Sequence, residues 1–194
     1  MHQSKNDKRA PKEWANDLLH PFKNENQSCL ECHAEAKYSA VSHTHHQVGS
    51  SGASCVNCHM PHTTYGLLKA MRSHSVSSPS VRETTEVLRP NACNLCHLDK
   101  PIDWTLDHLE EWYGLDKASI TEADLAENYM KRDEPVGLGW LKSPHAGTRL
   151  SASQAMLKSG ATWAMPELVD ILNDPAQINR QFAQKEMDAL LGIR

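Results

Sequence analysis

Every cysteine of this chain lies in one of three Cys-x-x-Cys-His runs: Cys29-Leu30-Glu31-Cys32-His33, Cys55-Val56-Asn57-Cys58-His59 and Cys93-Asn94-Leu95-Cys96-His97. Residues i and i+3 share a helix face, so one helical turn aims both thiols the same way. The histidine at i+4 then brings an imidazole nitrogen beside them. Two thiols so placed can add to the two vinyl groups of a porphyrin, and the histidine can ligate its iron. This spacing is the attachment signature of c-type haem. The chain is therefore expected to carry three covalently attached c-type haems. Cys29, Cys32, Cys55, Cys58, Cys93 and Cys96 are the thioether donors, and His33, His59 and His97 the proximal iron ligands.

Other uses of cysteine fit less well. Zinc sites gather four ligands, as two Cys-x-x-Cys pairs or as pairs of Cys and His. Here there are three pairs, each followed at once by histidine. With His at 12 of 194 positions, three such followers would arise by chance roughly twice in ten thousand trials, which sets coincidence aside. A thioredoxin-like pair comes singly within a βαβ pattern, and no such pattern surrounds these. Disulfides would account for the even count but not for the histidines.

An iron in a porphyrin also takes a sixth ligand or keeps that position open. Apart from the proximal three and His2, eight histidines remain: His20, His43, His45, His46, His62, His74, His108 and His145. Five of them fall between positions 43 and 74, among the haem motifs, which favours bis-histidine ligation. Met60 is too near its own His59 to reach the opposite face of that haem, and Met71 reads as core packing. His108 reads as solvated on the polar side of a helix, and His145 as a loop residue.

The elements that must position these groups are mainly α, with long loops. Residues 1–28 are polar, with a short amphipathic piece over 12–19. Residues 29–100 are broken by Ser, Gly, Asn, Thr and Pro, as expected of short helices and loops wrapped on cofactors. One helix is expected over 63–73, where Leu67, Leu68 and Met71 share a face. Beyond Pro101 the helical signals strengthen. Ile102, Leu106, Leu109, Trp112 and Tyr113 fall at helical spacing, with Asp103 as N-cap and Gly114 as stop. Thr121 and Asp124 form a capping box that opens a helix through Leu125 and Tyr129. A helix from Arg149 carries Leu150, Ala152, Ala155, Met156 and Leu157 and ends before Gly160. Another starts at Pro166 and is expected to bury Leu168, Val169, Ile171 and Leu172. After the Asp174-Pro175 turn, the last buries Ile178, Phe182, Met187, Leu190 and Leu191 and stops at Gly192. This gives a haem-organised trihaem segment over 1–114, followed by a small helical-repeat region over 115–194.

Composition sets further bounds. The apolar fraction is 39%, the aromatic fraction 6% and the mean hydropathy −0.59. So small an apolar store suits a fold in which porphyrins supply part of the core. A net charge of −4 without long basic runs excludes a nucleic-acid surface. No stretch reaches the roughly 18–20 apolar residues of a membrane span. Residues 1–20 lack the apolar centre of a signal peptide, whereas haem attachment takes place outside the cytoplasm. The chain is thus expected to be the mature portion of an exported precursor, or to start at a fragment boundary. Its expected location is periplasmic or otherwise extracytoplasmic.

Several runs together resemble a family of multihaem c-type cytochromes related to the cytochrome c554 and pentahaem nitrite reductase group. They are His43-Thr44-His45-His46, Gly52 through Cys55 to His59-Met60-Pro61, Arg72-Ser73-His74, Pro90-Asn91-Ala92-Cys93 through His97, and Trp112-Tyr113-Gly114. The likeness covers roughly residues 25–194. It implies His43, His46 and His74 as distal ligands, one for each haem; which serves which iron is left open, and His20, His45 and His62 remain alternatives. The tail resembles a HEAT-type repeat in Arg149, Ala152, Gly160, Pro166, Leu168, Leu172, Asp174, Pro175, Arg180, Ala183, Leu190 and Gly192. One such unit must pack on the haem segment or on a partner to cover both faces.

The resulting expectation is a relay that passes electrons between redox partner proteins, a membrane-bound electron-transfer complex among them. Two other readings stand beside it. One is a haem enzyme acting on nitrogen or sulfur compounds at an open iron, with Tyr65, Arg72, His62 and His45 around it. The other is a haem-bearing subunit of a larger respiratory or photosynthetic complex, docked through the helical tail.

Overall fold

The computed structural model describes residues 25–66, 69–86, 90–126, 128–129 and 131–193. The piece over 12–19, His20 and the two leucines Leu67 and Leu68 lie outside them. The chain falls into two compact units, residues 1–58 and 59–194, and the division runs through the second cysteine motif. The described residues are mainly helical.

The first unit is built from very short helices: α1 (Glu25–Leu30), α2 (Glu35–Tyr38), α3 (Val41–Thr44) and a 3-10 turn over Ser51–Ala53. At its end α4 (Cys55–His59) begins. Helices of four to six residues do not persist in water on propensity alone. Among the described residues of this unit, Val56 is the one buried apolar side chain, while Val41 and Val48 are exposed.

The second unit opens with a hairpin. Strands β1 (Thr64–Gly66) and β2 (Lys69–Met71) pair antiparallel, Tyr65 opposite Ala70. This replaces the helix expected over 63–73. The Thr63-Thr64-Tyr65 run favours extended backbone, and the Ser73 amide closes the segment onto the Pro61 carbonyl at 2.9 Å. The helical spacing of Leu67, Leu68 and Met71 was too short a signal to outweigh it.

Helices then follow in close order: α5 (Val81–Thr85), α6 (Ala92–Cys96), α7 (Ile102–Tyr113), α8 (Glu122–Leu125), α9 (Val136–Leu141), α10 (Ala146–Lys158), α11 (Met165–Asp170) and α12 (Gln177–Leu191). Gly114 and Gly192 end α7 and α12 in the left-handed conformation, as expected. The N-cap of α7 is Pro101, and Asp103 instead lies in the first turn, accepting from Arg132 Nε at 2.8 Å. The Thr121–Asp124 capping box is present, but the α8 helix it opens ends at Leu125, before Tyr129. Helix α9 carried no sequence signal. It packs so closely that a Cβ at Gly137 would stand 3.0 Å from both the Leu98 carbonyl and Met156 Sδ.

One apolar core runs through this unit from Leu98, Ile102 and Leu106 to Met156, Leu168 and Met187. Residues on both sides of Gly114 share it. Pro166 does sit in the first turn of α11, and Leu168 and Ile171 are buried, but Val169 (46% exposed) and Leu172 face outward. A 3-10 turn over Ile171–Asn173 rotates the chain after α11, which moves Leu172 off the buried side. In α12 the buried line is Asn179, Ala183 and Met187, while Leu190 and Leu191 (62%) are exposed.

The turn before α12 is held by an ion pair. Arg149 Nε and Nη2 meet the two Asp174 oxygens at 2.6 and 2.9 Å, and the Asp174 side chain is 1% exposed. Asp174 also accepts from the Ala176 amide at 2.8 Å. Hydrogen bonds from Arg149 hold its carboxyl below the usual carboxylate range. Asp174→Asn is expected to cost about 3 kcal/mol at neutral pH, because it leaves a mostly buried guanidinium without its charge partner. The folded pKa is depressed, so this contribution is full above the ordinary carboxylate value and disappears as pH falls through the lowered one. Urea unfolding of both proteins across that range should show the gap closing in acid.

Candidate haem sites

Each cysteine motif occupies about one helical turn. In the first, the Cys32 and His33 amides both donate to the Cys29 carbonyl at 3.1 Å, extending the turn past α1. The second is α4 itself. The third fills the last turn of α6, and its His97 amide closes on the Cys93 carbonyl at 2.8 Å. None of the six cysteines is paired in a disulfide. Burial pushes the Cys55 thiol up, and the neighbouring Cys29 thiol adds to the shift by its charge and a hydrogen bond. Cys96 reaches the surface, yet the protein packed around it raises its thiol too, against the opposing pull of the Arg72 guanidinium.

Asn26 joins the first two motifs within the first unit. Its amide donates to the Ala53 carbonyl at 3.0 Å, and its oxygen accepts the Cys55 amide at 2.9 Å. The candidate distal ligands His43 and His46 lie in the same unit. The rings of His43 and His33 both stand edge-on to Tyr38, at 5.2 and 5.1 Å. The His46 ring is packed against Gly52, where an added Cβ would stand 2.1 Å from Cδ2. Its Nδ1 donates to the Thr44 carbonyl at 2.6 Å. His45 ends α3 in the left-handed conformation, φ 53°.

In the second unit, His59 Nδ1 donates to the Ser77 carbonyl at 2.7 Å. A carbonyl only accepts, so in the neutral rings of His46 and His59 the proton sits on Nδ1 and Nε2 carries the lone pair. The segment with His74 runs beside the second motif: Ser73 bonds Pro61, and Arg72 Nη1 donates to the Met60 carbonyl at 3.3 Å. His74 and His62 are exposed. Of the residues considered for an open iron, Tyr65 lies in β1, and Arg72 is engaged with backbone.

The third motif is braced from further along the chain. Asn91 caps α6, its oxygen accepting the Cys93 amide at 3.0 Å, and the Asn91 amide donates to the buried Tyr129 hydroxyl at 2.9 Å. Burial raises the Tyr129 phenol far above its ordinary value, so it stays protonated. Thr105 Oγ1 of α7 donates to Asn94 Oδ1 at 2.8 Å, while the buried Asn94 Nδ2 lacks a partner. The His97 ring lies 4.8 Å from Trp104, and Trp104 is 4.5 Å from His108. His108 was expected in solvent; it is half-buried, stacked on Trp112 at 4.5 Å and 14°. The i, i+4, i+8 spacing of Trp104, His108 and Trp112 was the available signal. Nothing in the sequence marked Asn26, Ser77 or Tyr129.

Among the described residues no three His, Cys, Asp or Glu side chains converge as a cluster. The arrangement fits haem in three respects. The thiols are paired on single turns. Two histidines have Nε2 set as the donor atom. The first unit buries little apolar surface of its own. Such a haem would supply a one-electron iron couple. The protein's part is to attach it through the thiols, to present Nε2, and to fix ring orientation through the Thr44 and Ser77 carbonyls.

Residues 1–60 match the family model for cytochrome c554 and c-prime. That is 60 of 194 residues and includes the first two motifs, His43 and His46. No curated protein and no solved structure matches the chain. The match likens the first 60 residues to a family of c-type cytochromes, proteins with covalently bound haem iron. No described helix is long and apolar enough to cross a membrane.

The bracing of the third motif can be measured. Tyr129→Phe leaves the Asn91 amide buried without an acceptor and should cost about 1–2 kcal/mol in urea unfolding. The Asn91 and Cys93 amides should then exchange faster with deuterium than those of α12.

Proposed function

We propose that this protein is a trihaem c-type cytochrome that relays electrons between redox partner proteins outside the cytoplasm. Cys29 and Cys32, Cys55 and Cys58, and Cys93 and Cys96 attach the haems, and His33, His59 and His97 are the proximal ligands. His43, His46 and His74 are the distal ligands, so all three irons are capped and nothing binds to them during turnover. The observation that carries this reading is the repeated Cys-x-x-Cys-His turn, with the His59 proton held on Nδ1 by the Ser77 carbonyl. Bis-histidine ligation gives lower potentials than methionine would. The helical tail is a HEAT-like support for the third motif, to which it contributes through the core shared with α7.

The test is the visible spectrum of the purified protein, oxidised and dithionite-reduced, with and without carbon monoxide or cyanide. Three haems per chain, low-spin and unmoved by either ligand, are expected. A high-spin component that shifts on ligand addition would replace the relay by an enzyme with an open iron. Gly52→Ala gives a second check. The added methyl must displace the His46 ring, so a high-spin fraction that binds carbon monoxide should appear in this variant while its haem content stays at three.

A further inference from the structure

We infer that α12 is the surface on which a second copy of this chain docks, antiparallel to the first and related to it by a two-fold axis at Gln184. One side of α12 is spent on the core, through Asn179, Ala183 and Met187. The adjacent side carries Gln177, Arg180, Gln181, Gln184 and Asp188, which line an open groove together with Leu172. At 3.6 residues per turn these five positions and Leu191 fall within about 100° of one another, and none of the three buried residues falls among them. Gln177, Gln181, Gln184 and Leu191 are exposed, and Arg180 and Asp188 half-buried. Two charges are set at opposite ends of this side. Arg180 Nη1 donates to the Asp174 and Pro175 carbonyls at 2.6 and 3.2 Å, which holds the guanidinium in place. Asp188 lies about 12 Å further along the helix, too far to pair with it. Neither has an ion-pair partner among the described residues.

The arrangement is self-complementary. Arg180, Gln184 and Asp188 form one i, i+4 ridge, with the two charges placed evenly about Gln184. Helices pack by laying such ridges side by side. Two copies of this ridge, run in opposite directions, bring each Arg180 beside the Asp188 of the second copy and set Gln184 beside its own equivalent. The same register places Leu191 of the second copy opposite Gln177, on the groove that Leu172 lines. Leu172 and Leu191 are 36% and 62% exposed, so apolar side chains left in water by the single chain meet at both ends of the contact. Charge selects the occupant. A partner of uniform charge would be repelled by one end of the ridge, whereas a reversed second copy meets each charge with its opposite.

The test is sedimentation equilibrium of the full haem-loaded chain over a range of concentrations, with unfolding curves to verify that each variant is folded. A monomer–dimer equilibrium is expected. Asp188→Arg sets arginine against arginine and should weaken the dimer by about tenfold. Adding Arg180→Asp to it restores opposite pairing with the charges exchanged, and should return the Kd to within about threefold of the unaltered chain. Glu122→Arg, the same charge change on α8, should leave the Kd within about twofold. If the double variant does not fold, Gln184→Glu replaces it, since Gln184 is exposed: two carboxylates then meet at the axis, and the dimer should weaken by about tenfold at low salt and recover at high salt. A chain that stays monomeric at every concentration would leave the ridge to a different protein and overturn the assignment. So would a dimer unmoved by Asp188→Arg or Gln184→Glu, an equal loss in Glu122→Arg, or a folded double variant that does not associate.

Discussion

A single turn of helix has to hold two thiols and an imidazole in fixed relation, and such a turn is too short to hold itself. Nucleation costs more than five or six residues can return. The three motif helices therefore depend on hydrogen bonds from outside the turn. Asn26 caps the Cys55 amide, the Ser77 carbonyl fixes His59, and Asn91 and Thr105 fix the third turn from either side. Much of the polar architecture around the motifs follows from this need.

The two units meet it differently. In the first, short helices are joined by Asn26 and by the close fit of His46 against Gly52, with Val56 as the one apolar side chain buried among the described residues. Its organisation suits a segment whose interior is a flat apolar cofactor. In the second, a conventional helical core extends from Leu98 to Met187 and carries the third motif on its edge. Asp174 and Arg149 secure the turn that brings α12 back onto α10, and Gly137 lets α9 approach the backbone of Leu98. The tail is thus not separate from the third cysteine motif: Tyr129 reaches the residue that caps α6.

The single-turn form of the three cysteine motifs was legible in the sequence because Cys-x-x-Cys-His fixes residue types at helical spacing. The strong helix ends were legible too, through Gly114, Gly192, Pro166 and the Thr121–Asp124 pair. The hairpin was not, because three apolar residues at helical spacing over one turn carry less weight than a β-favouring run and a closing amide bond. The outward turn of Leu172 was missed because a 3-10 segment after α11 breaks the 3.6 period on which the buried face was counted, and that of Val169 because one helix face cannot bury two successive residues beside Leu168. The braces Asn26, Ser77 and Tyr129 were invisible for another reason. Each acts through a single long-range hydrogen bond, and an Asn, a Ser carbonyl or a lone Tyr has no local pattern that distinguishes this use.

The bond from the Asn91 amide to Tyr129 spans 38 positions, and its direction along the chain has a temporal meaning. The second motif is capped by a residue that precedes it. In the third, Asn91 caps Cys93 locally but is itself held by a residue that follows, and closing so long a loop carries an entropy cost before that bond forms. The cap of the third motif therefore stays unanchored until Tyr129 has folded back onto Asn91, whereas the cap of the second needs only a residue that precedes it.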